Sequence, residues 1–429
     1  MRAAAPSAAE PGGLPAPPGL SADAAPVTTA EFAALMAPLG PFGPAPCLVA
    51  GVSGGPHSLA LALLAESWVR CRGGVLLAAV CDHGLRPESA AEAAGVAAML
   101  AARGIAAEVL TLRLAPGGGV QERAREARLA ALSELCAARG APWLLLGHHI
   151  ADQAETLLLR ALAGSGAAGL AAMAPVRPAA TALVLRPLLG LPPARLEAVV
   201  AAAGLAPVRD PSNTEPRFLR VRLRAVLGDP GGVGAATAAL AEAAGRFSAR
   251  RRQVEAAVAD RLAEAASMHE AGFARLDLVA LGQDAVARAA LGALLRAVGG
   301  AAFAPAEAAV AALLARGEGT LGGAVLRRSG LLLRESAALA PPVPARRGAL
   351  WDARFRLAGD APPRALFGAA GKAARALPRP AWIPAAVVPT LPALLYDERL
   401  AVVPALAYPS PDIAARHAVF FAPHAGAVA

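Results

Sequence analysis

The stretch Leu48-Val49-Ala50-Gly51-Val52-Ser53-Gly54-Gly55-Pro56-His57-Ser58-Leu59-Ala60-Leu61 decides the reading of this 429-residue chain. A short apolar run stops at Ser53-Gly54-Gly55 and a helix-like apolar pattern follows at once. A strand-to-glycine-to-helix junction aims free backbone N–H groups and the positive helix end at one point, which suits a phosphate. A tight turn that needs glycine only for its backbone has the same local appearance.

Outward from this junction, apolar runs alternate with amphipathic segments. Strands are predicted near 47–52, 75–81, 107–112, 143–147 and 183–187, and helices near 58–70, 88–103, 120–139, 151–162 and 192–203. Thr28-Thr29-Ala30-Glu31 predicts the cap of an earlier short helix running to about Leu39. The alternation predicts an α/β fold, a parallel sheet with helices on both faces. Ligands of such sheets lie beyond the carboxyl ends of the strands. Three polar clusters fall there: Ser53-Gly54-Gly55, Asp82-His83-Gly84 and Gly147-His148-His149.

The rest of the chain changes character twice. Residues 1–27 are rich in Ala, Pro and Gly and are expected to be disordered. The sheet domain is expected over 28–225, a helical, alanine-rich domain over 226–318, and a mixed α/β region over 319–429. The net charge of +9 rests almost wholly on arginine, Lys372 being the one lysine, and it favours a polyanionic partner. Cys47, Cys71, Cys81 and Cys136 show no close pairing, so neither a disulfide framework nor a zinc site is indicated. Mean hydropathy is high at +0.48, yet the uncharged stretches are broken by glycine and proline, and none reads as a span of about 20 apolar residues. With no secretory pattern at the N-terminus, the expectation is a cytoplasmic protein away from membranes.

Two common phosphate-binding patterns are missing from the first crossover. No glycine loop there ends in Gly-Lys-Ser/Thr, and three spaced glycines do not follow the first strand. Hydroxyls and amides without a cation suit the holding of a leaving pyrophosphate, and hence transfer of AMP. The second constellation, Gly147-His148-His149-Ile150-Ala151-Asp152-Gln153-Ala154-Glu155-Thr156, opens a helix after the strand Trp143–Leu146. His148, Asp152 and Glu155 fall at i, i+4 and i+7, on one helical face. Carboxylates in a first turn also answer the helix dipole without any further role. Beside two histidines they suit the binding of an ammonium group and removal of its proton. Arg125 and Arg128, on the helix after the third strand, either line a solvated face or steady a transferring adenylate.

Taken together, these segments resemble the tRNA(Ile)-lysidine synthetases, members of the PP-loop ATP pyrophosphatases with a Rossmann-like sheet. The resemblance runs through Val52–Ser58, Cys81–Ser89, Ala124-Arg125-Glu126-Ala127-Arg128, Gly147–Thr156, Gly164–Leu170, Asp210-Pro211-Ser212-Asn213, Arg217–Arg224 and Thr320-Leu321-Gly322-Gly323. It implies that ATP, with Mg2+, adenylates the wobble cytidine of tRNA(Ile) bearing a CAU anticodon, and that L-lysine then displaces AMP to give lysidine. Carried over by position, Ser53, Gly54, Gly55, Pro56, His57 and Ser58 would hold ATP and pyrophosphate, with His83 and Arg86 on the nucleotide side. Asp152 and Glu155 would receive lysine and assist its attack, with Arg128 nearby. No protein ligand to a metal is assigned, Mg2+ being carried by the ATP phosphates.

The sequence departs from the family pattern at three positions. His57 stands where an aspartate is usual, Ala151 replaces the first of two aspartates, and Ala163 replaces an arginine before Gly-Ser-Gly. Weaker magnesium handling and loss of catalysis are therefore open alternatives, the latter leaving a tRNA-binding protein. Another PP-loop tRNA-modifying enzyme is a third reading, although a 2-thiocytidine enzyme would want paired cysteines. Arg222, Arg224, Arg250, Arg251 and Arg252 are the expected tRNA contacts, with Arg217, Arg220 and Arg246 beside them. Aromatics make up only 4% of the chain, and the pattern names no base-stacking residue. Assembly as a homodimer is left open.

Overall fold

A computed structural model describes residues 24–84, 86–112, 120–179, 181–208, 215, 219–359 and 361–423. Most of the expected disordered extension, the Asp210-Pro211-Ser212-Asn213 turn and Arg217 lie outside the described residues. The chain forms two compact units, Met1–Val176 with Thr181–Phe247, and Ser248–Ala429 with Arg177–Ala180.

In the first unit, strands β1 (Cys47–Val52), β2 (Val75–Asp82), β3 (Ala106–Thr111), β4 (Trp143–Leu146) and β5 (Leu183–Leu185) pair in parallel. Their order is β3-β2-β1-β4-β5, with the short strand Val176–Pro178 along the outer edge. The helices are α1 (Thr29–Met36), α2 (Pro56–Arg70), α3 (Ser89–Ala101), α4 (Val120–Arg139), α5 (Ile150–Leu162), α6 (Ala167–Leu170), α7 (Pro193–Ala202), α8 (Leu219–Leu227) and the start of α9 (Ala235–Ala265), whose residues from Ser248 on belong to the second unit. Each expected strand and helix of this region is present, displaced by a residue or two at its ends. Leu48, Val49 and Ala50 are all fully buried, as a central parallel strand covered on both faces requires. Leu48, Ala50 and Val52 join the core beneath α2 and α3, while Gly51 turns to Leu132 of α4 on the other face.

The end of the expected disordered tail is held in place. Thr28 Oγ1 accepts from Glu31 N–H at 3.2 Å, and the Glu31 carboxylate accepts from Thr28 N–H at 2.9 Å. Val27 and Phe32, both buried in the same core, occupy the two positions of a hydrophobic staple around that cap. Val27, at the end of the stretch whose composition reads as disordered, is thus held in the core.

From β1 the chain steps outward to β2 and β3, then returns across β1 to build β4. The crossovers leaving β1 and β4 therefore diverge from adjacent strand ends and open a crevice between them. That switch point is where open α/β sheets bind ligands.

The second unit corrects the all-helical reading of 226–318. Ala266–Met268 and Ala274–Leu276 form an antiparallel pair inside a five-stranded sheet completed by Leu331–Arg334, Ala324–Leu326 and Gly319–Leu321. Strands of three residues are too short to show a two-residue alternation among alanines. Gly322 and Gly323, at φ 58° and 75°, make the two-residue hairpin turn of the Thr320-Leu321-Gly322-Gly323 motif. Helices Ala285–Gly299 and Glu307–Arg316 bury Leu291, Leu295 and Leu313 in the core of this sheet. Four-stranded and three-stranded antiparallel sheets follow. Asp352 is buried between Arg334, at 2.8 Å, and Arg354, at 2.8 Å, one carboxylate shared by two guanidinium groups.

Candidate active site

The cradle at the end of β1 is held by one hydroxyl. Ser58 Oγ accepts from Ser53 N–H at 3.1 Å and donates to the Gly55 carbonyl at 2.9 Å, with Ser53 Oγ at 3.2 Å. Gly54 takes φ 79°, and a Cβ there would stand 2.5 Å from Val96 Cγ2, so the position requires glycine on both counts. Pro56 opens α2 and has no N–H; the first intrahelical bond runs from Leu59 N–H to Gly55 O at 3.1 Å. The amides of His57 and Ser58 thus head the helix ahead of that bond, at its positive end.

The second crossover is pressed against the first. A Cβ on Gly147 would lie 3.0 Å from the His57 carbonyl oxygen, so only glycine lets the two backbones approach this closely. His149 caps α5, which begins at Ile150. His148 therefore precedes the helix, and the expected face of His148, Asp152 and Glu155 is corrected to Asp152 and Glu155 alone. The His149 ring meets the His57 ring edge-on, centroids 4.2 Å apart. His149 N–H donates to Asp152 Oδ2 at 3.0 Å. His57 Nε2 lies 3.6 Å from Glu197 Oε1 of α7, too long for a hydrogen bond. His57 Nε2 and the Nδ1 atoms of His148 and His149 are buried without a hydrogen-bond partner among the described residues. Buried polar atoms of this kind mark a place built for a polar ligand.

Electrostatics separate the two carboxylates. Burial works to raise both. At Asp152 it is outweighed by the imidazoles of His149 and His148, the His149 N–H and Arg224, which hold the carboxyl below its ordinary range. At Glu155 burial prevails over its bond to Arg224, and the carboxyl is raised. Burial pushes His148 down to about 4 and His149 down to about 3, so the two rings carry the charge that lowers Asp152 only in acid. At physiological pH the His149 N–H and Arg224 are what favours its carboxylate. The pair is therefore one firmly ionised carboxylate beside a more basic one, an arrangement suited to dividing cation binding from proton acceptance.

The cation that meets this pair is Arg224 of α8. Its Nε donates to Glu155 Oε1, its Nη2 to Glu155 Oε2 at 3.3 Å, and Nη2 stands 3.7 Å from Asp152 Oδ1. Arg224, one of the expected tRNA contacts, turns its guanidinium onto the acidic pair while 45% of its side chain stays exposed.

The remaining expected residues are more dispersed. Arg128 of α4 is half-buried and acts electrostatically on Cys81 at the carboxyl end of β2. Arg86 donates to both oxygens of Glu92, at 3.3 and 2.7 Å, and His83 follows Asp82, whose carboxylate accepts from Ser89 Oγ at 2.6 Å and Gly84 N–H at 2.9 Å. Arg222 is exposed on α8. Arg250 and Arg252 are exposed on α9, and Arg251 faces Glu255 at 3.7 Å.

Two residues escaped the sequence reading. Glu197 carries no local signal and reaches His57 only through the packing of α7 against α2. Arg186 is buried directly after β5, donates to the Ala174 carbonyl at 2.8 Å and acts electrostatically on His148. Its place just beyond a strand's carboxyl end was the available signal, hidden by a strand expected to run to 187.

These residues do not fit a magnesium ion held by the protein. An imidazole occupies the motif position, Glu155 is tied to Arg224, Asp152 to His149 N–H, and Asp82 to Ser89 and Gly84. Among the described residues no three His, Cys, Asp or Glu side chains gather closely enough to hold a metal.

A glycine cradle after the first strand, at the switch point of a parallel sheet, defines a PP-loop protein, and residues 26–229 match the PP-loop domain family. The tRNA(Ile)-lysidine synthase of Methylobacterium sp. is 45% identical over 276 residues, which cover 63% of this chain and 78% of that relative. The chain belongs to the tRNA(Ile)-lysidine synthase family. That of Mesorhizobium japonicum is 38% identical over 71% of each chain. The Novosphingobium aromaticivorans synthase is 50% identical over 200 residues, 45% of this chain, and the match spans 60% of that relative's length.

Proposed function

We propose that this chain joins L-lysine to the wobble cytidine of tRNA(Ile) with a CAU anticodon, using ATP and releasing AMP and pyrophosphate. The observation that carries this reading is the contact between the two crossovers: through Gly147, His57 and His149, an acidic pair is held against a phosphate cradle. Adenylation turns the cytidine carbonyl oxygen into a leaving group, so one difficult substitution becomes two easier ones. The amides of Gly54, Gly55, His57 and Ser58 and the hydroxyl of Ser53 take up the departing pyrophosphate, in a turn that the Ser58 hydroxyl holds in shape. Asp152, ionised, holds the ammonium of lysine. Glu155, more basic, accepts the proton as the amine attacks and AMP leaves with the cytidine oxygen. The guanidinium of Arg224 beside both carboxylates supports this reading of the pair as a place for a cation. Mg2+ accompanies the ATP phosphates, and Arg128 steadies the adenylate.

Arg222, Arg250, Arg251 and Arg252 supply phosphate contacts to tRNA, which give affinity and salt dependence without base specificity. Among the described residues no helix is long and apolar enough to cross a membrane, and a cytoplasmic place follows from the proposed tRNA substrate. The test is incubation with ATP, magnesium, labelled lysine and tRNA(Ile) bearing CAU. Lysine incorporation with AMP release is expected, and Asp152→Asn should abolish incorporation while ATP still binds. Tight tRNA binding by the wild type with no AMP release would replace the enzyme with a non-catalytic binding protein.

A further inference from the structure

The sequence names no residue on which an unpaired RNA base could stack, but the second unit contains a three-ring ladder. Phe273, fully buried, lies 4.4 Å from the His269 ring with planes 12° apart. His269 in turn lies 5.9 Å from Trp382, again at 12°. The ladder ends on Trp382, which is 40% exposed, the only tryptophan among the exposed large apolar side chains of the described residues. A single Phe–His–Trp stack rooted in a core gives a rigid, flat indole face that loses little freedom when it is covered.

The chain segment that carries Trp382 is basic. Between residues 361 and 396 there is no acidic side chain, while Arg364, Lys372, Arg375 and Arg379 are basic. Lys372, Arg375 and Arg379 are exposed. Arg375 and Arg379 line one surface hollow, and Arg379 Nη1 donates to the carbonyl of Ile383, next to Trp382, at 2.6 Å. Pro378, Pro380 and Pro384 restrict the backbone that carries the indole. An aromatic face beside a phosphate-binding rim is how proteins grip single-stranded nucleic acid.

We infer that the outer face of Trp382 is a stacking platform for an unpaired nucleotide of the tRNA, with Lys372, Arg375 and Arg379 on the adjoining phosphates. This rests on the tRNA reading above and adds to it a base contact outside the PP-loop unit. Base–aromatic stacking contributes about 1–3 kcal/mol, roughly a 5- to 150-fold effect on affinity.

The full-length protein should be titrated with unmodified tRNA(Ile) at fixed salt, as wild type, Trp382→Leu and Trp382→Phe. Leucine keeps an apolar side chain but no stacking face; phenylalanine keeps both. Trp382→Leu should weaken binding by about 5- to 150-fold and raise KM for tRNA while leaving kcat, and Trp382→Phe should recover most of the loss. A mixed-sequence single-stranded RNA dodecamer should quench tryptophan fluorescence in the wild type and much less in Trp382→Phe. Equal tRNA affinity in Trp382→Leu and wild type, or quenching that survives loss of the indole, overturns the platform even if lysine is incorporated normally. Binding through Trp382 with no lysine incorporation keeps the platform and overturns the enzymatic reading.

Discussion

Replacing Arg224 by alanine strips the hydrogen-bonded cation from Glu155, a carboxylate with 1% of its side chain exposed. Breaking a fully buried ion pair from one side costs about 3–5 kcal/mol. Arg224 is itself 45% exposed, so water already screens the guanidinium and the expected cost falls to about 2–3 kcal/mol. A ceiling comes from protonation. Glu155 can escape by binding a proton, and from its ordinary value of 4.5 this costs at most about 3.4 kcal/mol at pH 7, at ~1.36 kcal/mol per pH unit. At pH 5 the same ceiling is only about 0.7 kcal/mol.

The sign follows from the direction of the shift. Burial raises the Glu155 carboxyl in the folded state, so its contribution to stability is present at low pH and is lost as pH rises through the folded value. Without Arg224, burial acts unopposed and the carboxyl rises further. Hydrogen exchange of peptides covering Ile150–Leu162 reads the local cost directly. In Arg224→Ala that segment should exchange about 30- to 150-fold faster than wild type at pH 7 and no more than about threefold faster at pH 5. A ratio that is the same at both pH values, or a protection unchanged at pH 7, refutes the reasoning that a buried carboxylate depends on this arginine.

Gly54→Ala combines a left-handed backbone with a Cβ 2.5 Å from Val96 Cγ2, and should cost about 2–4 kcal/mol in urea unfolding together with loss of nucleotide binding. His57→Asp restores an oxygen donor beside the cradle; lysine incorporation measured across a magnesium series should be preserved or raised at low magnesium. A dead His57→Asp protein that still folds would give the imidazole a role of its own. Reversing charge at Arg250, Arg251 and Arg252 together should weaken tRNA binding and flatten its dependence on salt; unchanged affinity and slope would leave the three as ordinary surface.

Much of the first unit was legible because its signals are local. A glycine that must take positive φ at Gly54, a capping pair at Thr28 and Glu31, and unbroken apolar strands such as Leu48–Ala50 each act within a few residues. The same locality explains the errors. His148 was placed on the helix because periodicity does not show which residue caps it, and the 266–276 hairpin vanished among alanines. At the end of the tail, composition did not show that Val27 is held by a core built from residues far along the chain.

What the sequence determined by itself was the order of strands and helices, the glycine cradle, and the kinds of side chain waiting at the strand ends. Tertiary structure alone decided which of them meet. Arg224 and Glu155 are 69 residues apart, and neither contains a hint that it will face the other. His57 with Glu197, and Trp382 with His269, are likewise partners only through packing. Backbone preference and hydrogen bonding to near neighbours are properties of a short segment, whereas an ion pair or a ring stack depends on a topology that closes long loops at an entropic cost borne by the whole core.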